Sequence, residues 1–209
     1  MLKPTFHRHE LAEQIDIERH HQFMKEALPH LISGTITAIA LYFIYRDFST
    51  LQSELIWLFS NIVLVLCTVV FYSLYYFQPH RLTVKQWGGV TFLVSALWGL
   101  CWALAPFLFL HTEQSSYIAV LLVITIALAT SPAPAMVHYP SAYYIFITPP
   151  FAANAIHLLG IDIEGVFIFA MLISFMWITM LIYGWNLHGT MINSIKLRLE
   201  NEQAWKEAE

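Results

Sequence analysis

Residues 114–161 read QSSYIAVLLVITIALATSPAPAMVHYPSAYYIFITPPFAANAIHLLGI, a run of 48 positions without Asp, Glu, Lys or Arg. As a single helix this run would be about 72 Å long, more than twice the roughly 30 Å hydrocarbon core of a bilayer. The chain must therefore turn back within it, and His138-Tyr139-Pro140 is the turn signal. We expect two membrane helices here, over residues 116–137 and 140–159.

The overall composition agrees with a membrane protein. Apolar residues make up 58% of the 209 positions and charged residues 11%, against about 45–50% and about 25% in a typical soluble domain. Such a chain cannot hide its apolar surface in a globule of this size. Intrinsic disorder, a basic nucleic-acid module and a disulfide-rich secreted domain are also excluded, since the chain is apolar, has net charge −4 and contains two cysteines.

Four further apolar blocks complete an all-α integral membrane bundle of six transmembrane helices. Apolar blocks of this kind are typical of helices, since membrane strands leave short alternating segments. The six spans are predicted over residues 28–45, 55–77, 87–110, 116–137, 140–159 and 165–187.

Lys and Arg predict the orientation of this bundle. With six spans, nine of the ten basic residues fall on one side, and Arg46 alone falls on the other. By the positive-inside rule both termini are cytoplasmic. We therefore divide the chain into a cytoplasmic or interfacial N-terminal helix (1–27), a six-helix transmembrane domain (28–187) and a cytoplasmic helical connector (188–209). The outer loops are short, so any signal must arrive from the bilayer, a shallow outer pocket or the cytoplasm.

The spans hold little that could do ionic or catalytic chemistry. None contains Asp, Glu, Lys or Arg, which argues against ion-coupled transport. No Gly-x-Ser-x-Gly or HExxH motif is present, so we predict no catalytic residue in this chain. The N-terminal histidines lie beside acids, and we interpret them as a solvated face rather than a metal site. They are His7, His9, His20 and His21.

Proline and small residues in the fourth and fifth spans suggest a ligand pocket. A proline inside a helix removes a backbone hydrogen bond and kinks the helix, leaving a gap for a neighbour or a ligand. Ordinary kinked packing is the alternative interpretation. The pocket-shaping residues would be Pro132, Pro134, Pro149 and Pro150, and Ser131, Asn154 and His157 would bind the ligand.

Trp98 and Trp102 lie one turn apart on the third span, on one helix face. They could stack on an apolar ligand, or they could simply pack in the core. An indole N–H buried in the membrane needs an acceptor, and a carbonyl freed by a proline would serve. Ser95 and Gly99, four positions apart, predict close contact with another helix. We place the pocket between the third, fourth and fifth spans.

The C-terminal segment continues the sixth span without a break. Ile192, Ile195 and Leu199 step by three and four, as in a coiled-coil seam. We interpret this helix as a signal relay to an output domain after Glu209, with a solvated helical tail as the alternative.

The order of several weak motifs resembles the N-terminal membrane sensor region of bacterial sensor histidine kinases and diguanylate cyclases. These motifs are Gln14-Ile15 with Glu18-Arg19, Leu97-Trp98-Gly99, the paired prolines 149 and 150, and Leu197-Arg198 with Glu200-Asn201. The resemblance implies that the six-helix domain over 28–187 is a transmembrane sensor, or input, domain in a bacterial inner membrane, and that its parent protein is a kinase or cyclase. It transfers no ligand contact.

We therefore predict a sensor that binds a small apolar or amphipathic signal within the bundle, acts as a homodimer in lipid and contacts no nucleic acid. No cofactor is expected. The alternatives are a haem-binding redox or gas sensor and, less favoured, an uncoupled transporter or channel. Haem would need two axial histidines, either His157 with His111 or His30 with His138.

Overall fold

The computed structural model describes residues 4–46, 51–78, 81–110, 115–161 and 165–208, and within these segments the chain is helical and contains no strand. Eight helices follow one another in the described segments. They are α1 (Pro4–Tyr45), α2 (Leu51–Phe77), α3 (Val84–Ala103), α4 (Ala105–Phe109), α5 (Ser115–Thr130), α6 (Ala133–Met136), α7 (Pro140–Leu159) and α8 (Val166–Ala208).

Four stretches are long and apolar enough to cross a membrane: Gln14–Tyr45, Gln52–Phe77, Val84–Phe109 and Val166–Glu202. The outward faces support a lipid environment. On α8, for example, the side chains of Phe167, Met171 and Phe175 are each more than half exposed. Monomeric soluble proteins rarely expose large contiguous apolar patches of this kind. The protein is an all-helical membrane protein.

The first and last helices are longer than any span. α1 has 42 residues and passes through Pro29 without a break, so the predicted N-terminal helix and first span form one element. α8 has 43 residues and joins the sixth predicted span to the C-terminal segment in the same way. Each therefore extends well beyond a bilayer core at one end.

Two predicted spans are interrupted at prolines. The fourth, over 116–137, is not one helix: α5 ends at Thr130 as a 16-residue apolar helix, and the short α6 starts after Pro132. The third is broken at Leu104, between α3 and α4, where Pro106 occupies the first turn of α4. In both places a proline cannot donate the backbone hydrogen bond that would continue the preceding turn.

α7 is the centre of the bundle. Its most extensive contacts are with α3 and α8, and glycines make both contacts close: Gly99 on α3 and Gly184 on α8. The helix has the predicted bounds, Pro140–Leu159, and runs without interruption through Pro149 and Pro150. In lipid the hydrophobic effect does not drive helices together, and small residues favour association because they let two backbones approach closely. The close contact predicted at Gly99 is confirmed.

Thr83 determines where α3 begins. Its hydroxyl oxygen accepts the backbone N–H of Gln86 at 3.3 Å, and the Gln86 side chain accepts the Thr83 N–H at 2.9 Å. This reciprocal pair is a capping box. It fixes the start of α3. Further along this helix, the helical period places Thr91, Ser95, Trp98 and Trp102 on one face.

Candidate functional site

A cavity of about 330 Å³ lies between α1, α2 and α3 on one side and the α5–α6 junction on the other. This volume is at the small end of the roughly 300–1,000 Å³ typical of small-molecule pockets. Four of the residues predicted from sequence line it: Trp98, Trp102, Ser131 and Pro132. We call this space the α1–α3 cavity.

The two tryptophans differ in how their indole N–H groups are used. Trp98 donates to Thr68 Oγ1 on α2 at 3.1 Å. Trp102 is 2% exposed and packs edge-on against Trp57, with ring centroids 5.2 Å apart. Its Nε1 has no hydrogen-bond partner among the described residues.

A neighbouring tryptophan, Trp57, donates its indole N–H to the backbone oxygen of Cys101 at 2.8 Å. That carbonyl also accepts the backbone N–H of Leu104 at 3.3 Å, so it is not a carbonyl that a proline leaves free. Trp102 packs beside Trp57 and has no acceptor among the described residues. Neither Trp98 nor Trp102 therefore makes the predicted pairing with a carbonyl near a proline.

Ser131 connects the α5–α6 junction to α1. Its hydroxyl shares a hydrogen bond of 3.2 Å with His30 Nδ1. Pro132, the next residue, is the N-cap of α6 and forms part of the cavity wall. The helix break therefore places a polar pair at the edge of a mostly apolar cavity.

The remaining predicted site residues lie outside the lining of this cavity. Asn154 is buried within the bundle and donates to Thr125 Oγ1 at 3.2 Å and to the Pro150 carbonyl at 2.9 Å. His157 Nε2 lies 3.2 Å from the Leu110 carbonyl, at the opposite end of the bundle from His20. Pro134 is exposed, Pro149 is half-buried and Pro150 is buried inside α7.

The fifth predicted span, α7, contributes only Phe146 to the described cavity wall. The sequence places the pocket between the third, fourth and fifth spans, whereas in the structure α1 and α2 form the walls expected from the fifth span.

The α1 wall was not predicted from sequence. Besides Phe23, Ala27 and Leu31, it includes His30, Ser33, Gly34 and Thr37. A signal for it does exist, because these small and polar residues recur at helical spacing inside an apolar span, where polar groups favour an interior position. On α3, Thr91 was also missed. It precedes Ser95, Trp98 and Trp102 on the same helical face.

A cluster of aromatic and ionisable side chains closes the bundle below the cavity, and we call it the polar end. His20 Nδ1 shares a hydrogen bond of 2.5 Å with the Tyr139 hydroxyl. The Arg19 guanidinium lies over the Tyr139 ring, 5.0 Å from its centroid, and forms an ion pair of 3.0 Å with Asp16. The cluster ties α1 to the turn that starts α7.

His138 lies in the same turn and is 2% exposed. Burial lowers the pKa of His138 to about 4, and the positive charges of Arg19 and His188 add to this effect. Its Nε2 lies 3.7 Å from a Glu26 carboxylate oxygen. His188 of α8 shares a hydrogen bond of 2.6 Å with the neighbouring Val137 carbonyl. The imidazole of His138 is therefore neutral at pH 7.

α8 also contacts α1 beyond the bundle. Arg198 Nη2 lies 2.5 Å from Glu18 Oε1. Of the predicted relay residues, Ile195 is 3% exposed, and Ile192 and Leu199 are half-buried. The predicted apolar seam thus faces inward within a single chain, where α1 contacts α8.

In the parts of the chain that are described, no three His, Cys, Asp or Glu side chains cluster closely enough to ligate a metal ion. His111, and the side chains of His7 and His9, lie outside the described residues. His30 and His157 each direct a ring nitrogen to a protein group.

Comparison with known proteins identifies no relative. No family model, no curated protein and no solved structure matches this chain. Its class therefore rests on its own features: an all-helical membrane bundle with an internal, mostly apolar cavity.

Proposed function

We propose that this chain is the transmembrane signal-input domain of a bacterial two-component or cyclic-di-GMP signalling protein. It has six spans, with α5–α6 and α7 as the fourth and fifth, and both termini on the cytoplasmic side of the inner membrane. The distribution of Lys and Arg supports this orientation. The resemblance to sensor regions of histidine kinases and diguanylate cyclases supports the class, and we propose that the protein acts as a homodimer.

One observation carries the proposal: α1 is both a wall of the cavity and the partner of the α8 extension. Gly34 and Thr37 line the cavity, and Glu18, on the same uninterrupted helix, pairs with Arg198. A helix transmits a displacement along its axis because its backbone hydrogen bonds run along that axis, and between Glu18 and Thr37 only the one that Pro29 cannot donate is missing. A change at the cavity wall therefore reaches the C-terminal helix without crossing a loop.

A ligand acts here by its different affinity for two arrangements of α1. Occupancy of the cavity holds α1 away from α3, and an empty cavity lets α1 close on α3. Through Glu18 the two arrangements place the end of α8 differently. To move such an equilibrium from 1:99 to 99:1, the ligand must prefer one state by about 10⁴-fold.

A filled cavity can be imitated without knowing the ligand. Gly34 lines the cavity, and a Cβ built on it meets no atom within 4 Å, so Gly34→Leu places a side chain in open space. Gly89 of α3 also has free space but lies outside the lining, which makes Gly89→Leu the matched control. Both variants are fused through α8 to a reporter kinase or cyclase domain, and the output is assayed in cells at equal expression.

We expect Gly34→Leu to change the reporter output several-fold in one direction, and Gly89→Leu to leave it at the level of the parent fusion. Adding Glu18→Arg to Gly34→Leu should abolish the change, because the contact between α1 and α8 is lost. If Gly34→Leu and Gly89→Leu give the same output, the cavity does not control the C-terminal helix and the proposal is wrong.

A further inference from the structure

The polar end of the bundle carries a second cleft, which shares no lining residue with the α1–α3 cavity. Its described lining comes from α1, from the start of α3 and from the turn before α7, and it includes Asp16, Arg19, Lys85, Gly88 and Tyr139. We call it the basic cleft. Two of these residues are basic and one is acidic, whereas the described lining of the cavity contains no Asp, Glu, Lys or Arg.

Arg19 is held in a fixed orientation in the basic cleft. Its Nη2 pairs with Asp16 at 3.0 Å, and its guanidinium lies over the Tyr139 ring, 5.0 Å from the centroid. Gly88 lies against the same ring, because a Cβ built on it would be 3.1 Å from Tyr139 Cε1. The Arg19 side chain is still 22% exposed, and since its Nε is buried, a ligand can meet only the terminal nitrogens.

Lys85 is the cation of this cleft that has no counter-ion. Its side chain is exposed in the first turn of α3 and makes no ion pair or hydrogen bond with a described residue. Asp16, the one acid in the described lining, is already paired with Arg19. The described lining therefore has a net charge of +1, and a single anion between Lys85 and Arg19 would neutralise it.

The basic cleft lies at the depth of lipid head groups. The apolar helical stretch Val84–Phe109 has 26 residues and is about 39 Å long. This length exceeds the roughly 30 Å hydrocarbon core and approaches the roughly 40–45 Å of a bilayer with its head groups. Lys85, at one end of the stretch, is therefore outside the hydrocarbon and level with the phosphates. In the orientation proposed above, these belong to the cytoplasmic leaflet.

We infer that the basic cleft binds the head group of an anionic phospholipid, with the phosphodiester oxygens bonded to Lys85 Nζ and to the terminal nitrogens of Arg19. A phosphodiester carries one negative charge, which matches the excess charge of the lining. Arg and Lys are the side chains that bind phosphate most strongly, and basic pockets between membrane helices take anionic head groups. A choline head group adds a positive charge beside Lys85 and is disfavoured.

The test compares phosphatidylglycerol with phosphatidylcholine of the same acyl chains. Binding of the first lipid molecule is measured by native mass spectrometry on the full chain in detergent, for the parent protein, Lys85→Gln, Lys85→Arg and Arg19→Gln. Lys25→Gln is the matched control, because Lys25 is an exposed lysine of α1 that lies outside the cleft. A competition with sn-glycerol 3-phosphate distinguishes a lipid head group from a free phosphate ester.

We expect phosphatidylglycerol to bind about fivefold more weakly to Lys85→Gln, as the loss of one basic residue at a membrane surface predicts. Lys85→Arg and Lys25→Gln should bind it like the parent. The preference of the parent for phosphatidylglycerol over phosphatidylcholine should disappear in Lys85→Gln. Arg19→Gln should lose at least as much affinity, and because Arg19 also contacts Tyr139, the exposed Lys85 decides the outcome if that variant does not fold.

Three results would overturn the inference. An equal loss in Lys25→Gln and Lys85→Gln would show a general attraction of charge. Equal binding of the two lipids to the parent would show that the cleft does not read the head group. Displacement of phosphatidylglycerol by sn-glycerol 3-phosphate would make the cleft a site for a free phosphate ester. None of these measurements uses the reporter output, so the lipid site and the relay succeed or fail separately.

Discussion

Gly99 of α3 lies directly against the backbone carbonyl of Phe146 on α7: a Cβ on Gly99 would be 2.6 Å from that oxygen and 2.7 Å from the oxygen of Ile145. These two carbonyls are the ones that Pro149 and Pro150 leave without an amide donor, since each proline lies four positions later in the helix. Cα–H groups are weak donors to such oxygens. The paired prolines of α7 are thus matched to a glycine of α3.

Gly99→Ala should destabilise the bundle by about 1–3 kcal/mol, because the atoms in its way belong to the backbone and cannot rotate aside. Thermal unfolding in detergent measures the effect. Gly89→Ala is the control on the same helix, with no atom within 4 Å of its Cβ. Equal melting temperatures for the two variants would show that the contact between α3 and α7 is looser than described.

Gly184→Ala should also destabilise the bundle by about 1–3 kcal/mol. Its Cβ would lie 2.5 Å from Cε1 of Tyr143, whose ring is fully buried between α7 and α8. Here the obstacle is a side chain, so a second substitution can relieve it. We expect Tyr143→Leu to lower the free energy of unfolding less in the Gly184→Ala background than in the parent protein. Strictly additive unfolding free energies would contradict the contact.

Reversing the charges of Glu18 and Arg198 tests the link between α1 and α8. Both side chains are partly exposed, so the pair should contribute no more than about 1 kcal/mol to stability. Its effect on geometry should be larger. Spin labels at the exposed positions Ile17 and Leu197 should show a longer or broader distance distribution in Glu18→Arg, and the parent distribution in Glu18→Arg/Arg198→Glu. A distribution that is the same in all three would show that the pair does not hold the helices together.

The neutral state of His138 predicts a dependence of stability on pH. Its pKa is about 4 in the fold against 6.5 in the unfolded chain, so the unfolded chain binds more protons between these values. Stability should therefore fall as the pH is lowered from about 6.5 towards 4, with Glu26 offsetting part of the cost once His138 is charged.

The melting temperature at pH 7.5 and at pH 5 measures this effect. His138→Phe should flatten the difference, and His21→Phe, at an exposed position, should not. An unchanged pH response in His138→Phe would assign the response to other groups.

Much of the fold can be predicted from the residues themselves. The uncharged run 114–161 requires a turn, and the turn lies at His138-Tyr139, with α7 beginning at Pro140. The spacing of Trp98 and Trp102 places them on one face of α3, and both line the cavity. These predictions succeed because they depend on local geometry, on helix rise, on helical period and on the missing N–H of proline.

The partners of each helix face are decided by the tertiary structure. In lipid both the outward and the inward faces of a helix are apolar, so hydrophobic periodicity does not tell which face is packed. Hence α1 and α2 supply far more of the cavity wall than α7 does, and Asn154 satisfies its amide N–H within the bundle. From sequence alone the chain is a helical membrane protein with kinked, charge-free spans. Packing alone determines that the Trp102 indole N–H and the Thr91 hydroxyl have no partner among the described residues, because a hydrogen bond depends on what the neighbouring helix brings within about 3 Å.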